Sequence, residues 1–209
     1  MTLHGIGASP GLAVGPVHRL EREDFAVREV ELEPAEVDAE LHRFRSALEE
    51  SRHELITIRD GIATELGEEE ARIYDAHLLI LGDPELMQDV ERGVRDGRRN
   101  AAWVFRNHMA RAAAHFEKIE DEYLRERRSD IVDCARRVLR HLLGEQREEL
   151  SQLTAPVIVL AHDLTPSETA ALSKKFVLGF ATEAGGPTSH TAILAGALEI
   201  PAVVGLGTF

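Results

Sequence analysis

Glu183-Ala-Gly-Gly-Pro-Thr-Ser-His-Thr-Ala-Ile-Leu-Ala195 is the stretch from which the fold is read. It follows Phe176–Ala181, a short apolar run of strand character. Gly185 and Gly186 then admit tight or left-handed backbone, and Thr188 or Ser189 offers the hydroxyl that caps a helix. Ile193, Leu194, Ala197 and Leu198 supply that helix with an apolar side. Strand, glycine turn and helix in this order are one unit of an α/β domain. Working outward, Gly11–Leu20, Pro156–Ala161 and Ala202–Gly205 read as further strands, and a second short helix is expected from about Ser167.

The middle of the chain has a different character. Residues 21–150 are crowded with Glu, Arg and Asp, whereas 1–20 and 154–209 are poor in charge and rich in Gly, Pro, Val, Ile and Ala. The ends resemble each other more than either resembles the middle, which points to a helical insertion within a discontinuous α/β domain. The expected division is 1–21 plus 147–209 for the α/β part and 22–146 for the insertion.

Within the insertion, Val37, Leu41, Phe44, Leu48, Leu55, Ile58 and Ile62 recur at helical spacing behind Pro34, with Gly61 and Gly67 bracketing the end. Glu68 to Leu81 forms a second helix, with acids in its first turn and Gly82-Asp83-Pro84 as its stop. Pro84 opens a third around Leu86, Val90 and Val94. The run Asn100 to about Arg128 makes a fourth, and Ser129-Asp130 caps a last one that ends at Gly144. The insertion is therefore expected to be an antiparallel helical bundle.

With 37 Asp and Glu against 24 Lys and Arg, the net charge of −13 excludes a nucleic-acid backbone or an anionic membrane as partner. The single cysteine, Cys134, can form no internal disulfide. Neither a leader nor a membrane span is legible, so a cytoplasmic protein is expected.

Ten histidines invite a metal reading: His4, His18, His42, His53, His77, His108, His115, His141, His162 and His190. None has ligand spacing with a suitable carboxylate, so no metal site is expected. His190 stands apart, because it falls in the first turn of a capped helix where free N–H groups and the positive dipole end favour an anion. A phosphoryl group carried on its ring would be stabilised there. Imidazole is nucleophilic near neutral pH, and phosphoryl transfer asks mainly for positioning and charge stabilisation. Asp163-Leu-Thr-Pro-Ser-Glu-Thr169 follows another strand and should emerge on the same sheet edge. Thr169 is placed to bond the histidine ring, although a plain helix cap accounts for the same residues.

These stretches occur together in a pattern that resembles the enzyme I family of the bacterial sugar phosphotransferase system. The likeness rests on Ala8-Ser-Pro-Gly-Leu-Ala-Val-Gly15, Asp121-Glu-Tyr-Leu-Arg-Glu-Arg127 with Asp130 and Asp133, Asp163–Thr169, Gly185–Thr191 and Ile200-Pro-Ala-Val-Val-Gly205. The glycine-histidine signature is shared with pyruvate phosphate dikinase and phosphoenolpyruvate synthase, and the inserted helices are what select enzyme I. The implied fold is a swivelling phosphohistidine α/β domain interrupted by a helical bundle.

The resemblance implies that His190 takes the phosphoryl group of phosphoenolpyruvate on Nε2 and passes it to a histidine of the carrier protein HPr. It also implies that Thr169 contacts His190, with Gly185, Gly186, Thr188 and Ser189 as the supporting loop. HPr would dock on the helices through Glu68, Glu69, His77, Leu79, Asp83, Glu85, Leu86 and Arg127, where an acidic, partly apolar face suits a partner with a basic rim. Pro187 stands where some relatives carry Arg, so no phosphate-contacting cation is expected from that position. The family continues beyond the equivalent of Phe209 into a barrel that binds phosphoenolpyruvate and Mg2+ and forms a homodimer. This stretch is thus expected to need no cofactor itself and to exchange phosphate with HPr. A paralogous regulatory phosphorelay enzyme and a non-catalytic helical interaction module are the rival readings.

Overall fold

Among the described residues, heptad-like apolar spacing in the insertion becomes five helices. These are α1 (Val37–Glu65), α2 (Glu68–Leu81), α3 (Pro84–Gly97), α4 (Ala101–Glu117) and α5 (Glu122–Leu143). The structure, a computed structural model, describes residues 2–20, 25–117, 122–144, 150, 153–164, 168–169, 172, 175–187 and 189–207. The chain divides into two compact units, one of residues 1–23, 60–73 and 147–209 and the other of 24–59 and 74–146.

In the helical unit the stripe residues Leu41, Phe44 and Leu55 of α1 are buried, with Val90 and Val94 of α3 and Phe105 of α4. Phe44 and Phe105 meet with ring centroids 5.6 Å apart in a tilted pair. The start of α3 is fixed locally: Asp83 is its N-cap, accepting from the Glu85 amide at 2.8 Å, and Pro84 fills the first position, where no amide hydrogen is needed.

α1 ends at Glu65, between the two glycines expected to bracket its end; Gly61 itself stays helical, because an exposed helical glycine costs only about 1 kcal/mol and cannot stop a helix by itself. Two boundaries differ from the sequence reading. Ser129 and Asp130 do not begin the last helix; α5 starts at Glu122 and both lie inside it. Residues 60–73, including the α1–α2 turn, group with the sheet, where Leu66 packs against its core.

The other unit holds a five-stranded sheet in the order β1-β5-β4-β3-β2, formed by β1 (Ile6–Ser9), β2 (Val17–Leu20), β3 (Val157–Ala161), β4 (Val177–Thr182) and β5 (Ala202–Val204). The run Gly11–Leu20 is a strand only from Val17, and Ile6–Ser9 is an additional strand. β1 lies antiparallel to β5, and every other neighbouring pair is parallel. Helix α6 (His190–Ala197) connects β4 to β5. Val159, Ala161 and Phe180 from the strands and Ala195 and Leu198 from the region of α6 share one buried core. The consequence for function is directional. Parallel β3 and β4 deliver the turns that follow them to one common edge of the sheet, where α/β proteins build their sites.

Candidate functional site

The turn after β4 is shaped by one glycine. Gly185 has φ +105°, and a Cβ built on it would stand 3.3 Å from Cβ of Val204, so both backbone and space demand glycine. Gly186 has no positive φ and open space around it, so the pair divides its work unequally. Ser189 then caps α6: its hydroxyl donates to the Gly186 carbonyl at 2.8 Å and accepts from the Ala192 amide at 3.3 Å. Thr188 lies outside the described residues. Leu194 of α6 and Leu198 just after it are buried as expected, while Ile193 is exposed.

His190 is the first residue of α6 and is half-buried. Its Nε2 lies 2.6 Å from the carbonyl oxygen of Leu164, in the turn after β3. A carbonyl can only accept, so Nε2 carries the proton in this contact. The same oxygen accepts from the Thr191 hydroxyl at 2.8 Å. The two sequence stretches thus meet on one edge, as their positions after parallel strands require. Thr169 is fully buried in the segment following Leu164. The contact shown for the ring is to a backbone atom, which no side-chain pattern announces. Thr191 carried a faint signal, since a hydroxyl beside a first-turn histidine can reach a neighbouring carbonyl.

The residues expected to dock a partner are distributed unevenly. Glu68 and Glu69 are exposed in the first turn of α2, Leu79 is 76% exposed, and Asp83 and Glu85 are exposed at the start of α3. Leu86 is buried beside them, and the side chain of Arg127 lies outside the described residues. His77 is a correction to the sequence reading: it is fully buried and offers nothing to a docking partner. Its Nε2 faces Asp130 at 3.3 Å and its Nδ1 faces Asp133 at 3.4 Å, which are ion-pair distances without aligned hydrogen bonds. The same surroundings act on two neighbours. Burial, and then the Asp133 charge, push the Tyr74 phenol and the Cys134 thiol well above their usual ranges. Leu79, Asp83, Leu86, His108, Met109 and Ile131 are among the residues lining an apolar cleft of about 350 Å³ in the helical unit.

Among the described residues no group of three or more His, Cys, Asp or Glu could hold a metal ion, and no helix is long and apolar enough to cross a membrane.

Residues 4–127 match the family model described as PEP-utilising enzyme, N-terminal, and residues 153–209 match PEP-utilising enzyme, mobile domain. The chain belongs to the PEP-utilising enzymes. It is 46% identical over 203 residues to the phosphoenolpyruvate-protein phosphotransferase of Listeria innocua serovar 6a, covering 97% of this chain and 35% of that protein. The protein of the same name from Bacillus subtilis is 43% identical over the same shares of the two chains. The chain therefore spans about a third of the length of these relatives. Among solved structures, the solution structure of Enzyme I (nEIt) matches with a TM-score of 0.78 at 42% identity, covering 99% of this chain and 84% of that one. The N-terminal domain of Enzyme 1 - Nitrogen matches with a TM-score of 0.68 at 26% identity, covering 98% and 83%. The fold is that of the enzyme I N-terminal portion, a helical bundle joined to an α/β sheet.

Proposed function

We propose that this PEP-utilising chain carries the phosphohistidine step of a sugar phosphotransferase relay, with His190 as the group that is phosphorylated and HPr as the protein with which it exchanges phosphate. The observation that carries the reading is the place of His190: first in a capped helix, at the edge where the turns after β3 and β4 converge. The positive end of the helix favours the charge of a phosphoryl group there.

The chemistry is an in-line exchange between two imidazoles. The lone pair of His190 Nε2 forms the new N–P bond while the N–P bond to the carrier's histidine breaks, its electron pair returning to that ring. Because Nε2 donates to Leu164 in the resting arrangement, the ring must first release this carbonyl and move the proton to Nδ1 or to solvent. The Thr191 hydroxyl keeps the vacated carbonyl hydrogen-bonded, so release of the ring leaves no orphaned acceptor. Thr169 remains a candidate for steadying the turned ring.

For docking, Leu79, Asp83 and Glu85 on the helical unit offer an apolar knob beside acids, which fits a carrier with an apolar patch and a basic rim. Glu68 and Glu69 are further candidates for the same partner. By the resemblance, the phosphoenolpyruvate chemistry, with its Mg2+, and the dimer contact would lie in the two thirds of the relatives' length that this chain does not span. The relay is placed in the cytoplasm. Against the regulatory nitrogen-type reading stands the higher identity to Enzyme I, 42% against 26%.

Intact-mass measurement after mixing the chain with phosphorylated HPr tests the proposal. One acid-labile phosphoryl group on the wild type and none on His190→Ala is the expected outcome. A folded wild type that stays unphosphorylated would leave a helical interaction module.

A further inference from the structure

The same edge of the sheet carries a second histidine that the phosphoryl exchange does not use. In the parallel pair β3–β4, Ala161 stands opposite Thr182, and each strand is followed at once by a titratable residue, His162 and Glu183. Pairing continues one step past the strands: the Glu183 amide donates to Ala161 at 3.1 Å and the Ala184 amide to the His162 carbonyl at 2.8 Å. His162 Nδ1 then lies 2.7 Å from Oε2 of Glu183. An ionised carboxylate only accepts, so Nδ1 carries the proton, and the ring is fixed in tautomer and orientation.

The position of this pair is what gives it meaning. Two residues beyond His162 is Leu164, whose carbonyl holds both His190 and Thr191. Two residues beyond Glu183 is Gly185, which opens the turn that delivers Ser189 and His190. That turn is also tied from within, since the Thr182 hydroxyl donates to the Ala184 carbonyl at 2.7 Å. The His162–Glu183 bond is a side-chain link between the turn that supplies the acceptor and the turn that supplies the histidine. With the ring 45% exposed and the carboxylate 16%, it adds little to folding stability, as exposed ion pairs generally do. Its effect falls on the relative placement of the two turns.

We propose that His162 is a positioning residue for phosphoryl exchange at His190, acting through its bond to Glu183. The inference rests on the reading of His190 as the phosphoryl acceptor. It is tested by the rate of exchange between this chain and phosphorylated HPr for the wild type, His162→Ala and His162→Asn. The asparagine amide N–H can take the place of Nδ1–H without being able to titrate.

The alanine variant should lower the maximal rate about tenfold or more, in line with the sensitivity of transfer to sub-ångström placement, while the KM for HPr stays unchanged. The asparagine variant should recover most of the loss, and all three proteins should end with one phosphoryl group on His190. A wild-type rate in His162→Ala, or an asparagine variant as slow as alanine, overturns the proposal. Failure of the underlying reading looks different: the wild type itself then takes up no phosphate, or carries it on a residue other than His190.

Discussion

His77 and His190 hold the same side chain in two surroundings, one in the interior of the helical unit and the other at a helix end in the α/β unit. His77 is fully buried and faces carboxylates with both ring nitrogens. His190 is half-buried, and its ring holds a single backbone carbonyl that Thr191 holds as well. A ring clasped from both sides cannot leave without exposing what it clasps, so it serves as structure. A ring held by one shared acceptor can turn away at the cost of about one hydrogen bond, roughly 1 kcal/mol, so it is available for chemistry.

The sharpest way to break this contrast is to remove each ring in turn. His190→Ala should abolish phosphate uptake altogether while changing stability by about 1 kcal/mol, read by urea unfolding. His77→Ala should do the reverse. It removes a fully buried ring from between Asp130 and Asp133, three residues apart on α5, and leaves a cavity in its place, at a cost of about 3 kcal/mol. Such a loss is a large share of the roughly 5–15 kcal/mol of a typical domain. Cys134 reports it directly, because its thiol points to the His77 carbonyl at 3.7 Å and burial raises its pKa, keeping it protonated. Alkylation of Cys134 should be slow in the wild type at pH 8 and markedly faster in His77→Ala. If the variant were as stable as the wild type, the ring would not be a clasp.

The two units also differ in how openly the sequence announced them. In the helical unit, apolar spacing marked α1 to α3 within a few residues, since each helix is a local object whose stripe is written in its own segment. What periodicity could not supply was the α4–α5 boundary. Ser129-Asp130 has the composition of a cap, yet Asp130 faces His77 across to α2. That contact is non-local, and its residue type matches the local signal. In the α/β unit the capped helix was legible from Ser189 and His190, because capping is local too. β1 was not, since Ile6–Ser9 becomes a strand only by pairing with β5 some two hundred positions later. Likewise Leu164 enters the site through its carbonyl, and backbone groups leave no trace in residue identity.

The glycine pair gives a finer test within the α/β unit. Gly185→Ala must place a Cβ at φ +105° and 3.3 Å from Val204, which costs about 2 kcal/mol and displaces the turn that carries His190. Gly186→Ala has room and ordinary backbone, so its effect on unfolding should stay within about 0.5 kcal/mol. Equal losses at the two positions would show that the turn is set by something other than the conformation of Gly185.

The smallest change in stability is expected where the helical unit is proposed to meet a partner. Leu79 is 76% exposed on α2 and contributes to the rim of the apolar cleft that Leu86 and Met109 also line. An exposed leucine buries little on folding, so Leu79→Ser should leave the unfolding free energy within about 0.5 kcal/mol of wild type. Docking reverses the balance, because that side chain leaves water when a carrier covers it. Truncating a central apolar anchor commonly costs more than 1 kcal/mol of binding, so affinity for HPr should fall about tenfold. Titration calorimetry of HPr against both proteins reads this directly, and wild-type affinity in Leu79→Ser would move the docking face away from the α2–α3 turn. A weakened complex that still yields one phosphoryl group on His190 at saturating carrier would separate the two units by task. The helices would then choose the partner, while the capped histidine performs the exchange.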